Sequence, residues 1–190
     1  MENEANHKAI ADYLGDMVAL ESHIEEALDR QLEFKGKHPE AGAAIQQFHD
    51  MVKANRDALR AHQEQIGSTI GNPIAEAGSA VLGMAAGLID KVRSEKVSKA
   101  LRDDYTAFNL ATVGYTMLQT TALALGDKAT ATLAAKGLRG HAKAVQKINH
   151  IMPGVVVWEL ERDNLTIANP NAAADVRSSL DKAWKETDQS

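Results

Sequence analysis

The residues of this chain that could do chemistry are polar side chains standing where a helical apolar rhythm calls for core residues. Leu14, Met17, Glu21, Ile24 and Leu28 are three or four apart, so Glu21 puts a carboxylate on the buried stripe of a helix. Asn55 and His62 interrupt a second stripe, Thr112 a third, and His141, between Leu138 and Val145, a fourth. Buried ionisable groups are costly unless they are paired or bound to a metal. Glu21, Asn55, Thr112 and His141 are therefore expected to meet as a core polar cluster. Two chemistries are open to it. One is a hydrogen-bonded network with no catalytic role and no cofactor. The other is a reduced mono- or dinuclear site, using Glu21 with His49 or His141, that takes iron or manganese in an oxidase or a metal sensor. A cavity left between helices by an abandoned centre would be a third use, binding a small molecule.

A helical-bundle di-metal centre draws a Glu from each of two helices and a Glu-x-x-His from each of the other two. Glu4-Ala5-Asn6-His7 has that spacing but lies outside the apolar stripes, while Phe48-His49-Asp50-Met51 and Leu138-Arg139-Gly140-His141 lack it. Too few carboxylates remain for a conventional di-iron centre. His7, His23, His38 and His150 fall at termini, polar faces or loop edges and are expected on the surface. With no cysteine among 190 residues, disulfides, thiolate zinc sites and cysteine nucleophiles are excluded. Neither a G-x-x-x-x-G-K-[ST] phosphate loop nor a G-x-S-x-G nucleophile motif is present. The net charge of -5 argues against nucleic-acid binding.

These side chains must be positioned by long helices. Apolar residues are 44% of the chain and aromatics only 4%, which suits close-packed helices better than sheets. The spacing predicts helices over Lys8–Phe34 and Ala41–Ile66, separated by Gly36-Lys37-His38-Pro39, and over Val97–Leu125 and Asp127–Met152, separated by Gly126. Two antiparallel hairpins then make a four-helix bundle. Register brings Glu21 level with Lys53, near Asn55 and Arg56, and His141 opposite Val113, beside Thr112. Between the hairpins, Asn72-Pro73 opens a further short helix to about Arg93, rich in small residues. Its Ser79, Gly83 and Gly87 form a groove that suits close helix crossing, across the bundle or in a homodimer. Glu76 and Asp90 limit its apolar run to 13 residues, so membrane contact is not expected. Pro153-Gly154 is expected to end the bundle at residue 152. Residues 153–190 then form an extension of the same domain, with Val155–Leu160 irregular and a helix after Asn169-Pro170 docked through Trp184. The polar opening residues Met1–Lys8 do not make a secretory signal, and the expected location is the cytoplasm.

The segment from Met17 to Leu28, the helix ending from Arg60 to Gly67, and Tyr115-Thr116-Met117-Leu118 leading to Leu125-Gly126-Asp127 resemble the YciE/YciF-type ferritin-like family. The resemblance spans about residues 9–152. It implies an all-α, ferritin-like antiparallel four-helix bundle with an extra short helix between the hairpins, usually dimeric, in a family associated with stress responses. It also makes Glu21 the match to the family's first-helix carboxylate ligand. Where the family places carboxylates and histidine, this chain has Phe108, Asn109, Leu110 and Ala111, and a position usually acidic holds His141. The expectation is a degenerate, non-catalytic scaffold acting through self-association or a protein partner.

Overall fold

Four stretches in which apolar residues recur every three or four positions fold as four long amphipathic helices, each burying one stripe. The computed structural model describes residues 2–70 and 96–187. Among them, α1 spans Glu2–Gln31 and runs into a 3-10 turn, Leu32–Gly36. Then α2 spans Pro39–Ile70, α3 Val97–Ala124, α4 Lys128–Arg162 and α5 Ala172–Thr187. Pro39 opens α2 where a missing N–H costs nothing. His38, expected on the surface, is half-buried there: its Nδ1 accepts from Ala41 N at 3.1 Å, and its ring meets Trp158 edge-on. Between α3 and α4, Gly126 takes φ +81°, a conformation glycine adopts without strain. Asp127 then caps α4, accepting from Thr130 N at 2.9 Å and Thr130 Oγ1 at 2.6 Å.

Side-chain pairs fix the order of the bundle. Glu21 with Asn55 and Asp29 with His49 run α1 antiparallel to α2. Glu21 with Tyr115 and Gln31 with Asp104 run α1 antiparallel to α3. His62 with Thr130 and Glu40 with Lys147 run α2 antiparallel to α4. The helices therefore sit in a ring α1, α2, α4, α3, with α2 and α3 parallel on a diagonal. Ile70 and Val97 lie at opposite ends of the bundle as a result. Leu14, Ile24, Ile45, Leu59, Phe108 and Ile148 fill the interior between the two hairpins. The predicted short helix of residues 73–93, with Ser79, Gly83 and Gly87, lies outside the described residues.

Two expectations for the C-terminal part need correction. Pro153-Gly154 does not end the fourth helix: α4 continues through both to Arg162, so the bundle has no boundary at residue 152, and Val155–Leu160 is helical. Burial outweighs the local breakers. Ile151, Pro153 and Val155 are buried, and the Glu159 carboxylate accepts from Ser98 N at 2.9 Å and Ser98 Oγ at 2.5 Å. That carboxylate supplies the start of α3 with the cap that Lys96 lacks. Trp184 is not the docking anchor of α5 either, being 51% exposed. Arg177 holds α5 instead, its Nε donating to the His150 carbonyl at 2.9 Å in the turn loosened by Pro153. Gly154 helps, because a Cβ there would stand 3.0 Å from Arg177 Nη2.

Candidate functional site

Each helix of the bundle contributes one side chain to a closed polar cluster at mid-height. Glu21 comes from α1, Asn55 from α2, Tyr115 from α3 and His141 from α4, and all four are buried. One oxygen, Glu21 Oε1, accepts from Tyr115 Oη at 2.5 Å, His141 Nε2 at 2.8 Å and Asn55 Nδ2 at 3.1 Å. The acceptor fixes the tautomer, placing the imidazole proton on Nε2. Burial first, and then the charge and hydrogen bond of Glu21, push the Tyr115 phenol well above its ordinary range. Tyr115 is thus a proton donor throughout the accessible pH range. His141 lies between Phe108 and Tyr115, with ring centroids 5.3 and 5.6 Å away.

Two glycines of α4 make room for this arrangement. At Gly137 a Cβ would stand 2.2 Å from Tyr115 Cζ, so only glycine lets the phenol ring lie flat against α4. At Gly140 a Cβ would stand 2.8 Å from Met51 Sδ, which brings α2 close beside His141. Two polar atoms of the cluster, Glu21 Oε2 and His141 Nδ1, are buried without a partner.

The structure brings together Glu21, Asn55 and His141 but not Thr112. That hydroxyl donates to the Phe108 carbonyl at 2.8 Å, and the residue lines an outer groove with Asn109. Tyr115, three residues on, takes its place: it is buried on the face of α3 that carries Phe108, Ala111 and Leu118, and its phenol reaches Glu21, while Thr112 stands at the edge of that face. Reading the sequence for polar residues on core stripes passes over tyrosine as an aromatic core residue. The available signal is that a buried phenol needs a partner and Glu21 is the carboxylate facing it. His49 does not join the cluster either. Its Nε2 lies 3.7 Å from Asp29 Oδ1, and Asp29 is eight residues, about 12 Å, along α1 from Glu21. His62 accompanies the α4 cap, its Nε2 2.7 Å from Thr130 Oγ1.

A second buried pair, Gln31 with Asp104, joins α1 to α3, Gln31 Nε2 donating to Asp104 Oδ1 at 2.8 Å. Burial pushes the Asp104 carboxyl from 3.8 up to about 7, with the Gln31 bond opposing and Asp103 reinforcing the rise. Asp104 Oδ2 and Gln31 Oε1 are both without a partner, and one carboxyl proton would serve both.

The Glu21 cluster fits a bound metal ion poorly. Ligands about 2.1 Å from one cation stand roughly 3 Å or more from each other. The 2.5 and 2.8 Å contacts at Glu21 Oε1 are instead direct hydrogen bonds. The cluster also offers one carboxylate and one imidazole, beside a phenol that keeps its proton and an amide turned with its NH2 inward. Among the described residues no three His, Asp or Glu side chains are grouped to hold a metal.

Residues 6–161 match the family described as Domain of unknown function (DUF892). The chain belongs to the DUF892 family. No curated protein matches it. Among solved structures, it is similar to a protein from Xanthomonas campestris pv. campestris, with 18% sequence identity and a TM-score of 0.68. That likeness covers 85% of this chain and 99% of the other, and it shows a shared fold. All four members of the polar cluster lie inside the DUF892 match. In this DUF892 chain, then, the conspicuous interior feature is a four-helix polar tie whose members mostly satisfy one another.

Proposed function

We propose that this DUF892 protein is a non-catalytic ferritin-like scaffold of the cytoplasm, stress-associated and acting through self-association or a protein partner. The parallel α2 and α3 support the ferritin-like part, since such bundles carry one long crossover between their hairpins. The observation that carries the non-catalytic part is Glu21 Oε1 accepting three protein donors at hydrogen-bond distances. With those bonds in place, the carboxylate that the YciE/YciF resemblance would assign to a metal works as a structural tie among four helices. The stress association rests on that resemblance.

A specific observation favours a second reading. Glu21 Oε2 and His141 Nδ1 have no protein partner, and both could bind a single ion after a side-chain rearrangement. Elemental analysis of protein purified without chelator, before and after loading with iron or manganese, separates the two. The scaffold reading expects less than a tenth of an equivalent of metal, unchanged in Glu21→Ala. Stoichiometric metal that Glu21→Ala abolishes would sink it in favour of the reduced site.

A further inference from the structure

No residue of α5 from 172 to 186 is buried, so this helix lies on α4 without closing against it. Between the two helices and the edge of α3 is a groove of about 610 Å³, the size of a small-molecule site. Ala142, Val145 and Leu180 give it an apolar lining, and Trp184 adds an indole that is 51% exposed. Its charged groups come from α5. Arg177, Asp181 and Trp184 follow one another at steps of four and three, on one face of that helix, and all three line the groove.

The two charges are set apart rather than paired. Arg177 and Asp181 have the spacing of a helical ion pair and form none, and neither does Asp181 with Lys185 on its other side. Arg177 is held elsewhere: its Nε donates to the His150 carbonyl at 2.9 Å, and its Nη2 lies over Gly154, where a Cβ would stand 3.0 Å away. The Nη hydrogens of Arg177 and the carboxylate of Asp181 have no protein partner among the described residues. Asn149, half-buried in the same groove, likewise makes no hydrogen bond through its carboxamide.

We propose that this groove binds a small zwitterion, an ω-amino carboxylate whose carboxylate meets Arg177 and Asn149 and whose ammonium sits between Asp181 and Trp184. A guanidinium matches carboxylate oxygens, and an ammonium is drawn both to a carboxylate and to the face of an indole. Charge decides against simpler ligands. An inorganic phosphate drawn to Arg177 meets Asp181 one turn away, and a plain cation drawn to Asp181 meets Arg177. Spacing sets the length. Along α5, Arg177 is about 6 Å from Asp181 and about 10 Å from Trp184, and a chain of five methylenes holds opposite charges between those separations. The methylenes then lie on Ala142, Val145 and Leu180. The groove shares no residue with the Glu21 cluster, so the proposal stands apart from the scaffold reading.

Titrating the full chain with 6-aminohexanoate at low ionic strength tests this, read by calorimetry and by the indole N–H resonance of Trp184. The expected result is one site with a dissociation constant on the order of 1 mM, as so small a ligand allows. Hexanoate and hexylammonium, each with one charge, should bind at least about 5-fold more weakly. Asp181→Asn should weaken 6-aminohexanoate by about 3- to 5-fold, the size of an exposed ion pair, while tightening hexanoate, whose charge it no longer repels. A general loosening of α5 would move both ligands the same way. Trp184→Leu should weaken 6-aminohexanoate and hexylammonium and spare hexanoate. Equal affinity for 6-aminohexanoate and hexanoate overturns the proposal, as does an Asp181→Asn variant that leaves both unchanged or an indole resonance unmoved at 10 mM. Inorganic phosphate binding where 6-aminohexanoate does not would also overturn it, making the groove an anion site.

Discussion

Substituting Asp104→Asn should raise stability at neutral pH and flatten its fall between acid and neutral conditions. In the unfolded chain the Asp104 carboxyl titrates near 3.8, whereas burial between α1 and α3 lifts it to about 7 in the fold. Across that interval the folded state keeps a proton that the unfolded state has released. Stability from this group is therefore fully present below about pH 4 and is lost as pH rises through 7. At about 1.4 kcal/mol for each pH unit, the loss is on the order of 4 kcal/mol. Asparagine removes it, because its NH2 can donate to Gln31 Oε1 while its oxygen accepts from Gln31 Nε2, with no proton to lose. Urea unfolding followed by circular dichroism from pH 4 to 8 measures the effect as the difference between the two proteins, which cancels other titrations. Asp104→Asn should be more stable by about 2–4 kcal/mol at pH 8 and nearly equal to wild type at pH 4. Parallel profiles would refute the reasoning, since they would mean that Asp104 takes up no proton on folding in this range.

Two further perturbations probe the interior and the C-terminal helix. Gly137→Ala should destabilise the bundle by about 1–3 kcal/mol or more in the same unfolding assay, because the new Cβ would meet the Tyr115 ring at 2.2 Å and the ring has no room to retreat. Unchanged stability would show that the ring is not confined between Glu21 and α4. Arg177→Ala should loosen α5 more than Trp184→Ala does, seen as faster amide exchange over residues 172–187, because Arg177 makes the bond to the His150 carbonyl while Trp184 is half in solvent. The reverse ranking would restore the tryptophan as the anchor.

Much of the bundle was legible in the residues because its signals are local. Gly126-Asp127 ends one helix and caps the next through groups within three positions of each other, and the structure places both as the sequence implies. Glu21, Asn55 and His141 stood out because each breaks a period of three to four. Counting from the hairpin loop puts Glu21 level with Lys53, two positions from the Asn55 that it meets. The Gln31–Asp104 pair carried the same kind of signal and was passed over. Gln31 lies three from Leu28, and Asp104 lies three from Leu101 and four from Phe108, so both share a core face.

The sequence by itself determined the helical class, the four long helices, the turn chemistry at residues 126–127 and most of the polar cluster, since each depends on groups a few positions apart. Only the tertiary structure decided that Tyr115 and not Thr112 completes the cluster, because which of two side chains three residues apart reaches Glu21 depends on how α1 packs on α3. Contacts with residues far along the chain likewise decided that α4 outlasts Pro153-Gly154, where Ser98 holds Glu159 and Val155 is buried. They decided, too, that α5 is held by Arg177. A local breaker costs about 3 kcal/mol, and a few buried side chains with a buried cap can exceed that, a sum no local pattern contains.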